Sequence, residues 1–299
     1  MLFTDDNYIK QTLVKREKDT HKGNYGRVLV FAGSPGMAGA AIFAGRTAVK
    51  SGAGLVSFLL PDLTDPIYPI LQVSAPECTC VEYTESFNLS AYDVIAAGPG
   101  LGNSDDRLFI LNTIIENYDG TLVLDADALN AVSKYPALAD SLAASSANVI
   151  ITPHPGEADR LMRLDPDLND VRTGGNRSAI VKELAKMFNC TAVLKGYATL
   201  VCGNNSATTF SDTIYDVFEN ITGNPGMATG GSGDVLTGLI ASLAAQGYSP
   251  LDAARIGVYI HGAAGDKAAN LMGEMGICAS DISGFVPLIL NEFYKDLTD

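Results

Sequence analysis

A glycine-rich stretch in the last quarter of the chain leaves one carboxylate with very few side chains around it. The stretch reads NPGMATGGSGDVLTG over residues 224–238, and its carboxylate is Asp234. Apolar residues then recur at helical spacing, so a helix is predicted over 232–246 with Asp234 in its first turn. The residues directly before Asp234 are Gly231, Ser232 and Gly233.

The start of a helix is suited to holding a negatively charged group. Its first backbone amides have no partner within the helix and carry partial positive charge, and glycines let a ligand approach them closely. The amides of Gly231, Ser232 and Gly233 are therefore predicted to bind a phosphoryl group during transfer. Asp234 could take a proton from the attacking hydroxyl, although an aspartate at this position is also a common helix cap.

The elements that must position this stretch follow a regular order. Short apolar segments of strand type alternate with helical patterns such as 37–52 and 105–117. This alternation predicts an α/β fold whose central, mainly parallel sheet is flanked by helices on both faces. The segment from Asp5 to Lys18 and the chain after Ser232 are also predicted to be helical, and one domain is expected over 1–299. The strand-type segments cover 27–33, 54–62, 92–102, 120–130, 148–157 and 191–196.

Several predicted strands end in loops that are rich in glycine or polar residues. In an open parallel sheet the ligand binds beyond the carboxyl ends of the strands, so these loops are predicted to meet at one crevice. Asp125 and Asp127 form a D-x-D pair there, which could help to hold Mg²⁺ or could cap the following turn. Lys195 is a natural partner for a phosphate group. A hairpin is also predicted, with arms at Ala192–Cys202 and Ala207–Phe210.

The composition excludes several classes of protein. The formal net charge is −14, so a general nucleic-acid-binding protein is not expected. No apolar stretch is long enough to cross a membrane, and the acidic, polar N-terminus does not resemble a signal peptide. The five cysteines complete no metal-ligand pattern. These features predict a cytoplasmic protein without membrane or nucleic-acid partners.

The sequence resembles a known family through seven motifs that occur in order. GGSGD resembles the G-A-G-D signature of ribokinase-like small-molecule kinases, in which the aspartate activates the substrate hydroxyl. Together with HKGNYGRVLVFAGS, MAGAA, GPGLG, LDADALN, TPHPGE and VLKG, it is similar to the ADP- or ATP-dependent NAD(P)H-hydrate dehydratase family. The resemblance begins near residue 21 and extends into the C-terminal helices. It implies a ribokinase-like fold and a lyase that repairs a damaged nicotinamide cofactor.

The reaction that the resemblance implies restores NADH or NADPH after water has added to the nicotinamide ring. The enzyme phosphorylates the hydroxyl of the (6S)-hydrate, NADHX or NADPHX, and then eliminates phosphate. Family habit indicates ADP as the phosphate donor, with ATP as the alternative, and Mg²⁺ as a cofactor whose ligands are not assigned. The resemblance also implies a homotetramer. Because the chain has no room for the epimerase domain fused to many bacterial members, a separate NAD(P)H-hydrate epimerase is expected.

The resemblance also implies roles for particular residues. Asp234 would be the catalytic base, and the amides of residues 231–233 would hold the phosphoryl group. Glu157 is not predicted to be a direct metal ligand. The hydrate would contact Asp234, Ala40, Gly100, Gly102 and His154. The phosphate-donor nucleotide would contact Gly233 and the KGYAT segment, which consists of Lys195, Gly196, Tyr197, Ala198 and Thr199.

Three other interpretations compete with the dehydratase. The GGSGD site alone also fits a small-molecule kinase that stops at phosphorylation, for example of hydroxyethylthiazole. An NAD-dependent dehydrogenase is disfavoured because the first glycine loop, GSPGMAG, lacks the G-x-G-x-x-G spacing. A non-catalytic nucleotide-binding regulator is disfavoured by the presence of Asp234. His261 is predicted to pack within a helix, and no role is assigned to the segment His21–Gly23.

Overall fold

Ten strands form one continuous sheet in the computed structural model, which describes residues 2–204 and 215–296. Eight of these strands precede the KGYAT loop, and two follow it. The strands are β1 (Leu2–Thr4), β2 (Arg27–Phe31), β3 (Leu55–Leu60), β4 (Thr79–Glu82), β5 (Val94–Ala97), β6 (Thr121–Leu124), β7 (Asn148–Ile151), β8 (Thr191–Leu194), β9 (Leu200–Asn204) and β10 (Tyr215–Asn220).

The sheet is almost entirely parallel, as the sequence predicts. Its strand order is β1-β10-β9-β8-β7-β6-β5-β2-β3-β4, and among these strands only β9 runs antiparallel to its neighbours. The chain runs outward from β2 through β3 to β4 and then returns to the other side of β2 as β5. Ligands of open α/β sheets bind beyond the carboxyl ends of the strands at such a reversal point.

Helices cover both faces of the sheet. The helices are α1 (Asp6–Thr12), α2 (Ala38–Lys50), α3 (Tyr68–Ser74), α4 (Asp105–Asn117), α5 (Ala126–Lys134), α6 (Pro136–Ala143), α7 (Pro155–Met162), α8 (Asn169–Thr173), α9 (Arg177–Met187), α10 (Ser232–Ala245), α11 (Pro250–Met272) and α12 (Ala279–Asp296). The predicted helices over 37–52, 105–117 and 232–246 are thereby confirmed. Within the described ranges, none of the helices is both long enough and apolar enough to cross a membrane.

Each face of the sheet has its own apolar core, because successive strand residues point to opposite sides. Along β2, Val28 and Val30 pack with α1, α2, α3, α10, α11 and α12. Leu29 and Phe31 pack with α4, α5, α6, α7 and α9 on the other face. All four side chains are buried, so β2 reads as a continuous apolar run, as expected for a central parallel strand.

The predicted N-terminal helix from Asp5 to Lys18 is wrong in length. The helix α1 ends at Thr12, and Leu13 has an extended backbone. The next amide, of Val14, donates a hydrogen bond to the Tyr248 hydroxyl at 2.9 Å. Contact with a residue more than two hundred positions away therefore replaces the local helical pattern.

The first arm of the predicted hairpin, Ala192–Cys202, is also wrong. The structure divides it into β8 and β9, which pair antiparallel to each other, with residues 195–199 forming the connection. The connection turns through Gly196 at φ 139° and Ala198 at φ 51°. These positive φ angles do not fit a strand, so the strand cannot continue from β8 through the connection. The other predicted arm, Ala207–Phe210, lies outside the described residues.

The structure gives the segment His21–Gly23 a place at the opposite end of the sheet from Asp234. His21 caps a short 3₁₀ helix over Lys22–Tyr25. A Cβ on Gly54, just before β3, would lie 1.7 Å from the Lys22 carbonyl oxygen, so the segment packs against the amino ends of the strands. The segment thus has a structural role at the end of the sheet away from the site.

Candidate active site

Asp234 lies where two strand ends and one helix start meet. The helix α10 begins at Ser232, beside Asp125, which directly follows β6, and Lys195, which directly follows β8. A Cβ placed on Gly233 would lie 3.3 Å from the Lys195 Nζ and 3.6 Å from the Asp125 Oδ2. The GGSGD, LDADALN and KGYAT segments therefore meet at the carboxyl ends of the strands.

The conformation of the chain before α10 depends on Gly231. This N-cap residue has a φ of 91°, in the left-handed region that favours glycine. A Cβ on Gly231 would lie 2.7 Å from the Phe43 ring and 2.9 Å from the Ala279 Cβ, so there is also no space for one. A Cβ on the neighbouring Gly230 would meet no atom within 4 Å. Two adjacent glycines thus have very different constraints.

We expect Gly231→Ala to lower the free energy of unfolding by about 2–4 kcal/mol. The estimate combines the cost of a left-handed alanine with the cost of overpacking against Phe43 and Ala279. Gly230→Ala is the matched control and should change the free energy of unfolding by no more than about 0.5 kcal/mol. Denaturant unfolding of both variants would measure the difference, and equal midpoints would show that the backbone at Gly231 is not constrained.

A buried ion pair connects the two strand-end loops. The Lys195 Nζ donates to the Asp125 Oδ1 at 2.5 Å, and Asp125 is 1% exposed. The other carboxylate oxygen accepts from the Thr237 hydroxyl of α10 at 2.8 Å. Asp125 occupies the N-cap position of α5, but its side chain makes no cap bond there. Its carboxylate instead joins the ends of β6 and β8 to the first turns of α10.

Asp127, the second member of the D-x-D pair, also positions other groups. Its Oδ2 accepts from the Gly102 amide at 2.9 Å, and its Oδ1 accepts from the Asn130 side-chain amide at 3.3 Å. Among the described residues, no group of three or more His, Cys, Asp or Glu side chains could hold a metal ion.

The surroundings of Asp234 make it suitable as a base near neutral pH. Burial raises its pKa from the ordinary value of 3.8 to about 6, and the charges of Asp125 and Asp127 add to the rise while Lys195 opposes it. A carboxylate with this pKa is mostly ionised at pH 7 and holds a proton more strongly than an exposed aspartate does. The N-cap position of α10 belongs to Gly231, so Asp234 does not occupy it.

Ala40, Gly100 and Gly102 form a surface of small residues at the reversal point between β2 and β5. A Cβ on Gly100, which has a φ of 55°, would lie 2.9 Å from the Cβ atoms of Ala40 and Met37. The Ser34 hydroxyl donates to the Gly100 carbonyl at 2.9 Å. A Cβ on Gly102 would lie 3.3 Å from the same Ser34 hydroxyl oxygen. Three of the predicted hydrate contacts are therefore close together.

His154 is bound to the start of its own helix, α7. Its Nδ1 accepts from the amides of Gly156 and Glu157 at 2.9 and 3.3 Å, and a Glu157 carboxylate oxygen accepts from the His154 amide at 2.8 Å. This reciprocal capping box accounts for both side chains structurally. The His154 side chain is still 50% exposed, so it remains accessible to a ligand.

The KGYAT loop is held from outside by Arg177, a residue that no motif in the sequence indicates. Its guanidinium donates to the carbonyls of Leu194 at 3.2 Å and Ala198 at 3.1 Å, and also to the carbonyl of Tyr197. The Tyr197 side chain is 97% exposed. The loop that Arg177 holds therefore exposes an aromatic ring two residues after Lys195, and such a ring suits the base of a nucleotide.

His261 supports the first turn of α10, although the sequence predicts only packing for it. Its ring is buried in α11, and its Nε2 donates to the Ser232 carbonyl at 2.9 Å, with the Ser232 hydroxyl at 3.3 Å. Burial lowers the pKa of His261 to about 4, so the ring is neutral at pH 7 and carries its proton on Nε2. No local pattern in the sequence indicates this bond.

The fold and the site define a class of protein. A solved ribokinase-like superfamily protein from Enterococcus faecalis has a TM-score of 0.80 and 26% sequence identity to the chain, covering 98% of this chain and 96% of the other. The mainly parallel sheet, and the carboxylate of Asp234 in a helix start beyond the strand ends, agree with this assignment. The chain therefore has a ribokinase-like fold.

Sequence comparison also identifies the family within that class. A family model described as NAD(P)H-hydrate dehydratase matches residues 28–287, and the chain belongs to this family. The ADP-dependent (S)-NAD(P)H-hydrate dehydratase of Neisseria meningitidis is 35% identical over 287 residues, which are 94% of this chain and 90% of the relative. The ADP/ATP-dependent NAD(P)H-hydrate dehydratase of Bacillus subtilis, co-crystallized with ATP/Mg²⁺, has a TM-score of 0.78 and 29% identity over 98% of both chains.

Other relatives are longer than this chain. The bifunctional NAD(P)H-hydrate repair enzyme of Coxiella burnetii is 38% identical over 300 residues, which are 97% of this chain but only 56% of the relative. The chain thus spans about half the length of the bifunctional relatives that it matches. The resemblance seen in the seven motifs is confirmed by these comparisons.

Proposed function

We propose that this chain restores NADH and NADPH from their (6S)-hydrates, with ADP as the phosphate donor. The observation that carries the proposal is Asp234, which has a raised pKa and lies in the first turn of α10 beside Lys195 and Asp125. Membership of the NAD(P)H-hydrate dehydratase family supports the choice of substrate. The name of the Neisseria meningitidis relative supports ADP, and that of the Bacillus subtilis relative includes both ADP and ATP.

The first stage of the proposed reaction is phosphoryl transfer to the hydrate. The hydroxyl oxygen of the hydrate attacks the terminal phosphorus of ADP while Asp234 accepts the hydroxyl proton, and AMP leaves. The backbone amides of Gly231 and Gly233 stabilise the negative charge on the phosphoryl oxygens at the start of α10. The predicted contribution of the Ser232 amide is not favoured, because this amide donates to the Thr229 carbonyl at 3.3 Å. Catalysis of this kind consists mainly of positioning and charge stabilisation.

The second stage eliminates phosphate. The lone pair of the ring nitrogen expels the phosphate group, which leaves far more easily than hydroxide, and loss of a proton from the neighbouring ring carbon restores the double bond. The small-residue surface of Ala40, Gly100 and Gly102 allows the ring to lie close to the backbone, with His154 as a further contact. Lys195 binds the donor phosphates, and the remainder of KGYAT and Gly233 hold the rest of the nucleotide.

Mg²⁺ fits this scheme as a companion of the nucleotide rather than of the protein. Nucleotide phosphates commonly carry Mg²⁺, which neutralises their charge when bound. Asp125 and Asp127 are occupied by Lys195, Thr237, Gly102 and Asn130 in this structure, so no protein ligand is assigned. The single domain, the homotetramer, the cytoplasmic location and the separate epimerase partner stay predictions.

A spectrophotometric assay tests the proposed function. Acid-prepared NADH hydrate would be mixed with the enzyme and magnesium, and ADP or ATP would be added in turn. We expect recovery of the reduced-nicotinamide absorbance only when a nucleotide is present, with ADP the better donor. Phosphorylation of hydroxyethylthiazole without any recovery of absorbance would favour the kinase interpretation instead. A solved hydroxyethylthiazole kinase from Pyrococcus horikoshii, at 12% identity and a TM-score of 0.52, shares the fold alone.

A further inference from the structure

A cleft between α5 and α7, which we call the α5–α7 cleft, carries positive charge on an otherwise acidic protein. Its volume is about 380 Å³. Three of its lining residues are cationic and none is acidic, whereas the whole chain has 34 Asp and Glu against 20 Lys and Arg. Such a local reversal of charge is typical of a site for an anion. The residues that line the cleft are Asn130, Ser133, Lys134, Arg160, Arg163 and Leu164.

Two of the three cationic groups are available to a ligand. Arg163 is paired with Asp159, at 2.7 Å between its Nη2 and the carboxylate. Within the described residues, Lys134 and Arg160 form no ion pair with a carboxylate, and both side chains are exposed. The Arg160 guanidinium donates one bond, to the Asn130 side-chain oxygen at 2.8 Å, which leaves most of its donors free.

The α5–α7 cleft is connected to the candidate active site by a chain of hydrogen bonds. The Gly102 amide donates to Asp127, and Asn130 donates to the other oxygen of the same carboxylate. The side-chain oxygen of Asn130 then accepts from Arg160. Gly102 is a predicted hydrate contact, so these bonds connect the wall of the cleft to the surface on which the hydrate is expected to bind.

His154 provides a second connection to the active site. A Cβ on Gly156 would lie 2.9 Å from the His154 ring and 3.7 Å from the Arg160 Nη1. The guanidinium therefore lies near the start of α7, close to another predicted hydrate contact. Lys134, the ninth and last residue of α5, is about 12 Å further along that helix from the strand-end loops.

We propose that the α5–α7 cleft binds a phosphate group of the dinucleotide hydrate. The proposal rests on the proposed function, which places the nicotinamide end beside Asp234, so the phosphates of the dinucleotide must lie further from Asp234. Both hydrates contain a diphosphate, and the NADPH hydrate has an additional 2′-phosphate at its far end. An arginine and a lysine on opposite walls of the cleft suit the charge and the geometry of either group.

The test compares the two hydrates in Arg160→Gln, Lys134→Gln and the double variant. If the cleft binds the 2′-phosphate, kcat/KM for the NADPH hydrate should fall by about 10–100-fold in the double variant, the scale of a lost charge-assisted contact, while the value for the NADH hydrate is unchanged. If it binds the diphosphate, both values should fall together. The matched control is Lys50→Gln, which also removes an exposed lysine from the last turn of a helix.

Calorimetric titration with NADPH and NADH measures dinucleotide binding directly, so this readout does not depend on the dehydration reaction. The double variant should bind one or both dinucleotides more weakly than the wild-type protein, even if no hydrate is turned over. Unchanged binding and unchanged kcat/KM for both hydrates, in a folded variant, would overturn the proposal while leaving the dehydratase intact. Loss of affinity for ADP alone would also overturn it, because the cleft would then serve the donor nucleotide.

Discussion

Asp234→Asn is expected to lower the turnover of NADH hydrate by about 10²–10⁴-fold, the usual scale for loss of a general base. The amide keeps the size of the side chain but cannot accept the hydroxyl proton. Affinity for ADP should persist, because the amides of residues 231–233 and Lys195 are unchanged. The measurement is the rate of absorbance recovery, beside a nucleotide titration and a thermal melt. Turnover within threefold of the wild-type rate would show that Asp234 is not the base.

Asp170→Asn is a control for the loss of charge. Asp170 is also an acidic residue in the first turn of a helix, α8, and it is exposed. Like Asp234→Asn, the Asp170→Asn substitution removes one negative charge and its favourable interaction with a helix dipole, about 0.3–1 kcal/mol. It does so without changing the crevice. We expect its turnover to equal that of the wild-type protein. A comparable loss in both variants would indicate a general electrostatic effect rather than removal of a base.

The raised pKa of Asp234 predicts that activity and stability depend on pH differently in the wild type and in Asp234→Asn. The wild-type kcat/KM should fall as the pH drops below about 6, because the base becomes protonated. The folded-state pKa lies above the ordinary value, so the favourable contribution of protonated Asp234 to stability is lost as the pH rises through about 6. Asp234→Asn should therefore melt at a higher temperature than the wild type at pH 8. That difference should disappear near pH 4.

The parts of the site that the sequence predicts are those encoded locally. The helix after Asp234 follows from a few apolar residues at a spacing of three or four, and α10 begins at Ser232 as expected. Strand-to-helix alternation predicts the parallel sheet, and parallel sheets bind ligands at one end. These rules together bring Gly233, Asp125 and Lys195 into one crevice without knowledge of any contact.

The parts that the sequence misses depend on long-range contacts. Lys195 and Asp125 are 70 positions apart, and Thr237 is 112 positions from Asp125. Because each residue type has several common uses, pattern alone leaves phosphate binding, metal binding and capping open for them. Arg177 and His261 act through backbone carbonyls of distant segments, which no side-chain motif records. The division of 192–202 into two strands likewise depends on the backbone angles of a connecting loop.

Lys195→Gln is expected to damage both stability and activity, and a double variant separates the two. The single change leaves the buried Asp125 carboxylate without its cationic partner, so the free energy of unfolding should fall by about 2–4 kcal/mol. The value lies at the lower end for a buried pair, since the Lys195 side chain is 19% exposed. Turnover should also fall, because the nucleotide loses a phosphate partner.

Lys195→Gln combined with Asp125→Asn removes both charges and should recover most of the lost stability, because neutral amides can still hydrogen-bond to each other and to Thr237. Affinity for ADP should remain about 10–100-fold below that of the wild-type protein, since the lysine is still absent. Thermal melts and nucleotide titrations of the wild-type protein and the two variants would measure both effects. If the double variant regained full affinity for ADP, Lys195 would serve only to hold the ends of β6 and β8 together. If its stability stayed as low as that of Lys195→Gln, the two charges would not be the coupled pair that joins these loops.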